Sequence, residues 1–92
     1  MIVSFIHKGL KKFYETGSKQ GIQPKHKDKL EDILEALDTS YQIEDMDLPS
    51  FKLHELQGKR KGIWSVTVNG NWRVTFTFEN GNAEILNYED YH

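Results

Sequence analysis

An α+β fold is predicted by three features of the sequence. It opens with a short apolar run, continues through two stretches with the 3.6-residue period of a helix, and in its second half shortens that period to two. Helices packed on one face of an antiparallel sheet satisfy all three at once. With 92 residues, 37% hydrophobic and 28% charged, the chain suits one domain spanning residues 1–92, with a single modest core.

Residues 2–6 (Ile-Val-Ser-Phe-Ile) are apolar and rich in β-formers, which predicts a strand buried on both faces. Residues 8–15 carry Leu10, Phe13 and Tyr14 at i, i+3, i+4, the stripe of a short amphipathic helix. Gly17 is placed to end it, because glycine tolerates the left-handed conformation that follows a helix C-terminus. A second helix should begin near Pro24, which suits a first helical position. Its core face is Leu30, Ile33, Leu34 and Leu37; Asp38-Thr39-Ser40 ends it, and an acidic connection with Pro49 follows. Strands are then expected over 51–56, 63–68, 72–79 and 83–88. Asn69-Gly70-Asn71 and Asn80-Gly81 are hairpin turns that supply positive φ at little cost, and Gly58 to Gly62 brackets a basic loop.

Twelve Lys and Arg against fourteen Asp and Glu leave a net charge of -2, which excludes a free-standing binder that holds nucleic acid mainly by bulk charge. The total is a cancellation. Residues 1–29 hold seven basic and two acidic groups; 30–50 hold seven acidic and none basic; 51–73 hold five basic and one acidic; 74–92 hold four acidic. Two basic segments are therefore available to meet in space. The absence of cysteine excludes a disulfide scaffold and a thiolate zinc site, and fits a reducing cytoplasm. The apolar start is too short for a secretion signal, and nothing approaches the roughly 20 apolar residues of a membrane span. A cytoplasmic protein that needs no membrane is the expectation.

Alternation along the strands assigns sides. If Phe51, Leu53, Trp64, Val66, Val74, Phe76 and Phe78 face the helices, then Lys52, His54, Ser65, Thr67, Arg73 and Thr75 face away. That second face collects a lysine, a histidine and an arginine beside the Lys59-Arg60-Lys61 loop, which is the layout of a binding surface. The chain ends in Asp90-Tyr91-His92, a carboxylate, a phenol and an imidazole on a segment able to swing onto the sheet. Each residue also has a plainer reading. His54 suits an exposed strand position, and Arg73 a cross-strand partner for Glu84 or Glu55. The last three residues suit a frayed end, and Trp64 and Trp72 suit sheet packing. His7 and His26, in helical or pre-helical context, are not expected to be catalytic.

The run Phe51-Lys52-Leu53-His54-Glu55-Leu56-Gln57-Gly58, then Gly62-Ile63-Trp64-Ser65-Val66, Asn71-Trp72-Arg73-Val74-Thr75-Phe76 and the ending Asn87-Tyr88-Glu89-Asp90-Tyr91-His92 resemble the HigB toxins of the RelE/ParE superfamily. Ser4-Phe5, His7-Lys8-Gly9-Leu10 match as well, so the resemblance covers essentially the whole chain. It implies a RelE-like, microbial ribonuclease-type fold and a bacterial type II toxin. The implied activity is a ribosome-dependent endoribonuclease that cuts mRNA in the ribosomal A site, with no metal and no cofactor. The implied partners are the 70S ribosome, with its rRNA and mRNA, and a HigA-type helix-turn-helix antitoxin through which alone operator DNA is contacted. The family's active-site pattern falls on His54, Arg73, Asp90, Tyr91 and His92. Lys52, Gln57, Lys59, Arg60 and Lys61 would line the RNA phosphates. Many relatives carry lysine where this chain has Gln57. Either Lys59, Arg60 or Lys61 compensates for the missing cation, or rate and codon preference differ.

Such cleavage needs a group to take the 2′-hydroxyl proton, a group to stabilise the phosphorane, and a group to protonate the 5′-oxygen. Under the resemblance Arg73 is the phosphate clamp and His54 and His92 handle the protons, with acid and base not distinguished. Asp90 orients or activates one histidine, and Tyr91 stacks on a base or bonds the phosphate. ParE-type relatives, which bind DNA gyrase without catalysis, are the alternative reading.

Overall fold

A computed structural model of the chain describes residues 1–90. Helix α1 (Lys8–Thr16) and helix α2 (Lys27–Thr39) precede an antiparallel meander of β1 (His54–Glu55), β2 (Trp64–Asn69), β3 (Trp72–Glu79) and β4 (Asn82–Asp90), with spatial order β1-β2-β3-β4. The helices cover one face of this sheet. Leu10 and Phe13 from α1 and Leu30, Ile33, Leu34 and Leu37 from α2 form one cluster with Val66, Val74, Phe76, Leu86 and Tyr88 from the strands. Each Leu, Ile or Phe fully buried there contributes about 1.5–3 kcal/mol of transfer free energy.

Helix boundaries follow local chemistry. His7 caps α1: its Nδ1 accepts a hydrogen bond from the Leu10 amide at 2.9 Å, satisfying one of the donors that a helix start leaves open. Gly17 closes α1 at φ 80° and returns its amide to the Phe13 carbonyl at 2.8 Å. Pro24 opens a 3-10 turn, Pro24–His26, that leads into α2. Gly9 and Gly21 meet backbone to backbone, and a Cβ at either would overlap the other's main chain. That close approach lets the start of α1 lie against the loop before α2.

Two expected strands are shortened. Residues 2–6 form only two isolated parallel bridges to β4, Ile2 to Ala83 and Phe5 to Leu86. The cause is Ile85, at φ 50°, where the chain bulges and the amide turns to the Ser4 hydroxyl at 2.8 Å instead of continuing the ladder. Nor is this segment buried on both faces, since Val3 and Ile6 are exposed. Asp38, at the end of α2, holds it in place by accepting the Ile2 amide at 3.0 Å and the Tyr14 hydroxyl at 2.6 Å. The expected strand 51–56 keeps only His54–Glu55 in the ladder, because Lys52 sits at φ 50° and breaks the extended run.

No helix among the described residues is long and apolar enough to cross a membrane.

Candidate active site

The sheet register sorts the side chains. His54 lies opposite Ser65, Ser65 opposite Thr75, and Thr75 opposite Asn87; one rung along, Thr67, Arg73 and Glu89 lie in line. Because a strand alternates faces, these two rows share the side of the sheet turned away from the helices. His54 and Arg73 therefore come from different strands to one face, as the alternation predicts.

That face is partly roofed rather than open. Ser65 and Thr75 are buried, at 0% and 3% exposure, and the Ser65 hydroxyl meets no hydrogen-bond partner among the described residues. Part of the cover comes from Arg60, which reaches Glu89 from the 3-10 turn Gly58–Arg60; the segment continues to Gly62. Two carboxylates tie it down. Glu89 grips the Arg60 fork with both oxygens, Nη1 to Oε1 at 2.9 Å and Nη2 to Oε2 at 3.0 Å. Glu55 accepts the Gly62 amide at 2.9 Å. Glu89 also accepts from Asn87 Nδ2 at 3.2 Å and from the Thr75 hydroxyl at 3.4 Å. The Arg60 guanidinium holds the Glu89 carboxyl below its usual range, against an opposing push from burial. A cleft of about 250 Å³ opens beside this pair, lined by His54, Glu55, Leu56, Gln57 and Arg60.

His54 is exposed, and its Nδ1 stands 3.2 Å from the Lys52 carbonyl. A carbonyl only accepts, so this contact places the hydrogen on Nδ1 and leaves the lone pair of the neutral ring on Nε2. Lys52, whose left-handed backbone aims that carbonyl, is itself exposed. Arg73 is half-buried and donates from Nη1 to the Thr67 hydroxyl at 3.3 Å. Its cross-strand partner is Glu89, where the plainer reading had named Glu84 or Glu55.

The remaining candidates divide. Lys59 is exposed and Lys61 follows the turn, while Arg60 turns inward to Glu89 instead of outward to solvent. Gln57 precedes the turn and donates weakly to the Glu55 carbonyl at 3.4 Å. Asp90 ends β4 opposite Trp72, a pairing in the rows that face the helices, so the carboxylate beside Arg73 in the register is Glu89 rather than Asp90. Tyr91 and His92 lie outside the described residues. Glu89 stands inside the Asn-Tyr-Glu-Asp-Tyr-His ending without having been singled out; alternation counted one residue on from the helix-facing Tyr88 places it on the polar face.

Histidines 7 and 26 are occupied elsewhere. His26 is buried, with Nδ1 2.6 Å from the Tyr88 hydroxyl, which also accepts the Gln23 amide at 3.3 Å. Its ring lies edge-on to Trp72, and Trp72 packs on Tyr88 with centroids 4.7 Å apart. Burial pushes the pKa of both His7 and His26 down. Both tryptophans pack against the core from its edge, as their plainer reading held.

The register brings His54 and Arg73 to one face of the sheet without placing them in one cleft. An imidazole and a guanidinium, groups suited to handling a proton and holding a phosphate, lie on that face, beside a cleft that His54 and Arg60 line. A family model described as the RelE-like toxin of the type II toxin–antitoxin system HigB matches residues 3–92. The chain is 51% identical over 92 residues to the Endoribonuclease HigB of Proteus vulgaris, with 100% of each chain covered. Among solved structures it is similar to a chain of the YoeB–YefM complex from Staphylococcus aureus. The TM-score is 0.66 at 18% identity, over 100% of this chain and 95% of that one, and likeness at that identity concerns the fold alone.

Proposed function

The chain belongs to the HigB toxins, the RelE-like toxins of type II toxin–antitoxin systems, and on that premise we propose that it is an endoribonuclease that cuts mRNA in the ribosomal A site. The observation that carries the reading is the placement of His54 and Arg73 on one sheet face, beside the cleft that His54 and Arg60 line. In the proposed reaction His54 Nε2 takes the proton of the 2′-hydroxyl as that oxygen attacks phosphorus. Arg73 holds the non-bridging oxygens through the phosphorane, where charge accumulates. The 5′-oxygen leaves with a proton, giving a 2′,3′-cyclic phosphate and a 5′-hydroxyl. No bound metal is asked for. His92 is the proposed donor of that last proton, Asp90 its orienting carboxylate, and Tyr91 a stacking platform for a base.

A net charge of -2 makes a poor lure for free RNA, so the ribosome is proposed to deliver the mRNA and the exposed Lys52, Lys59 and Lys61 to make the local phosphate contacts. A HigA-type antitoxin is the proposed neutralising partner, and a bacterial cytoplasm the proposed setting, with residues 1–92 acting as one domain. The test is cleavage of a labelled mRNA by the purified protein with and without ribosomes carrying a filled P site. Cutting that depends on ribosomes and leaves cyclic-phosphate ends is expected. Equal cutting of deproteinised mRNA would refute ribosome dependence; no cutting, together with direct inhibition of DNA gyrase, would support the ParE-type alternative.

A further inference from the structure

The ion pair between Arg60 and Glu89 has a form that an incidental surface contact lacks. Its geometry is fork to fork, 2.9 and 3.0 Å, and the Glu89 side chain is only 22% exposed. Two further donors, Thr75 and Asn87, converge on the same carboxylate from β3 and β4. The four hydrogen bonds fix Glu89 in one rotamer and leave it little freedom to follow solvent. Glu89 stands in line with Arg73 in the ladder, and Arg60 reaches over to it from the segment that walls the His54 cleft. One carboxylate thus links the strand register to the loop. A second, Glu55, ties the loop's far end at Gly62, with Lys61 between the two ties and Lys59 just before the first.

Charge makes the arrangement informative. A bare carboxylate on a face that receives RNA would repel phosphate, and three adjacent cations would splay the loop apart. Pairing Glu89 with Arg60 removes both penalties and leaves two lysines facing outward. We propose that Glu89 is a positioning residue for RNA cleavage. By gripping Arg60 it seats the 58–62 segment over the sheet and sets the cleft against His54, so that phosphate arrives in line with Arg73. The inference rests on the nuclease reading above and deepens it.

Single-turnover cleavage of ribosome-bound mRNA, at increasing toxin concentration, separates the saturated rate from the half-saturating concentration. Glu89→Gln keeps the size of the side chain but offers one oxygen, so it cannot accept the fork. The expected result is a saturated rate lowered about tenfold or more with the half-saturating concentration not raised, since the released Arg60 still attracts RNA. Arg60→Lys, which keeps the charge and loses the fork, should show the same fall in rate. The double variant carrying Glu89→Gln and Arg60→Lys together should be no slower than the slower single variant, because both break one device. Rates are normalised to the fraction folded by circular dichroism, which isolates positioning from stability. Wild-type cutting with unchanged saturated rates in Glu89→Gln and Arg60→Lys overturns the inference alone. Additive losses in the double variant also overturn it. A wild type that does not cut sinks the nuclease reading, and the inference with it.

Discussion

Tyr88 and Glu89 are neighbours in β4, yet they organise opposite faces of the sheet by opposite physics. Tyr88 points into the helix side, where its hydroxyl meets buried His26 and its ring packs on Trp72. Burial there pushes the histidine toward its neutral form. Glu89 points to the other side, where a guanidinium fork keeps it charged. One face holds its titratable group by excluding charge, and the other by matching it. Stability should therefore reside on the helix side and activity on the polar side, and substitutions can be chosen to break that division.

The largest expected loss of stability lies in the core. Phe76 is fully buried at the centre of the helix-facing row, and Phe76→Ala should cost about 3–5 kcal/mol by denaturant unfolding, close to the whole stability of a small domain. Next comes Tyr88→Phe, which removes the hydroxyl shared by His26 Nδ1 and the Gln23 amide. With both groups buried or half-buried, the loss should be about 1–3 kcal/mol.

Titration sharpens the same contrast. His26 and His7 have folded-state pKa values below the ordinary 6.5, so the unfolded chain binds protons more readily. Their contribution is complete above pH 6.5 and is lost as the pH falls below it. Protonating His7 at Nδ1 would also remove the cap of α1. Resistance to thermal unfolding should therefore fall as the pH drops below about 6.5, and His26→Phe should flatten that slope in part. Glu89 gives its own acid limb only below its ordinary 4.5, since its folded pKa is also lowered. The smallest effect belongs to the polar face. Arg60→Ala should cost about 1 kcal/mol or less in stability, because the pair is partly solvated, although the same change is expected to slow cleavage.

Much of this architecture is legible in the residues. The 3.6-residue stripe of α2 places Leu30, Ile33, Leu34 and Leu37 in the core and the alternation from Trp64 places Val66, Val74 and Phe76, because burial on one side imposes those periods; Ile22 and Met46 lie outside both patterns. The truncated strands were not legible. Lys52 and Ile85 both take positive φ, Ile85 where its amide meets the distant Ser4 hydroxyl, and neither lysine nor isoleucine signals that conformation in sequence. The site divides in the same way. His54 and Arg73 follow from alternation, whereas the inward turn of Arg60 depends on a partner 29 residues away, which no local pattern reveals.

RNA cleavage by the polar face of the sheet is proposed to depend on Arg73. That dependence is tested most directly by the cleavage rate of Arg73→Ala on ribosome-bound mRNA, with folding checked by circular dichroism. The expected result is a rate lowered about a hundredfold or more, the scale of losing one transition-state donor, in a protein that still folds. A folded Arg73→Ala variant that cuts at the wild-type rate would contradict it.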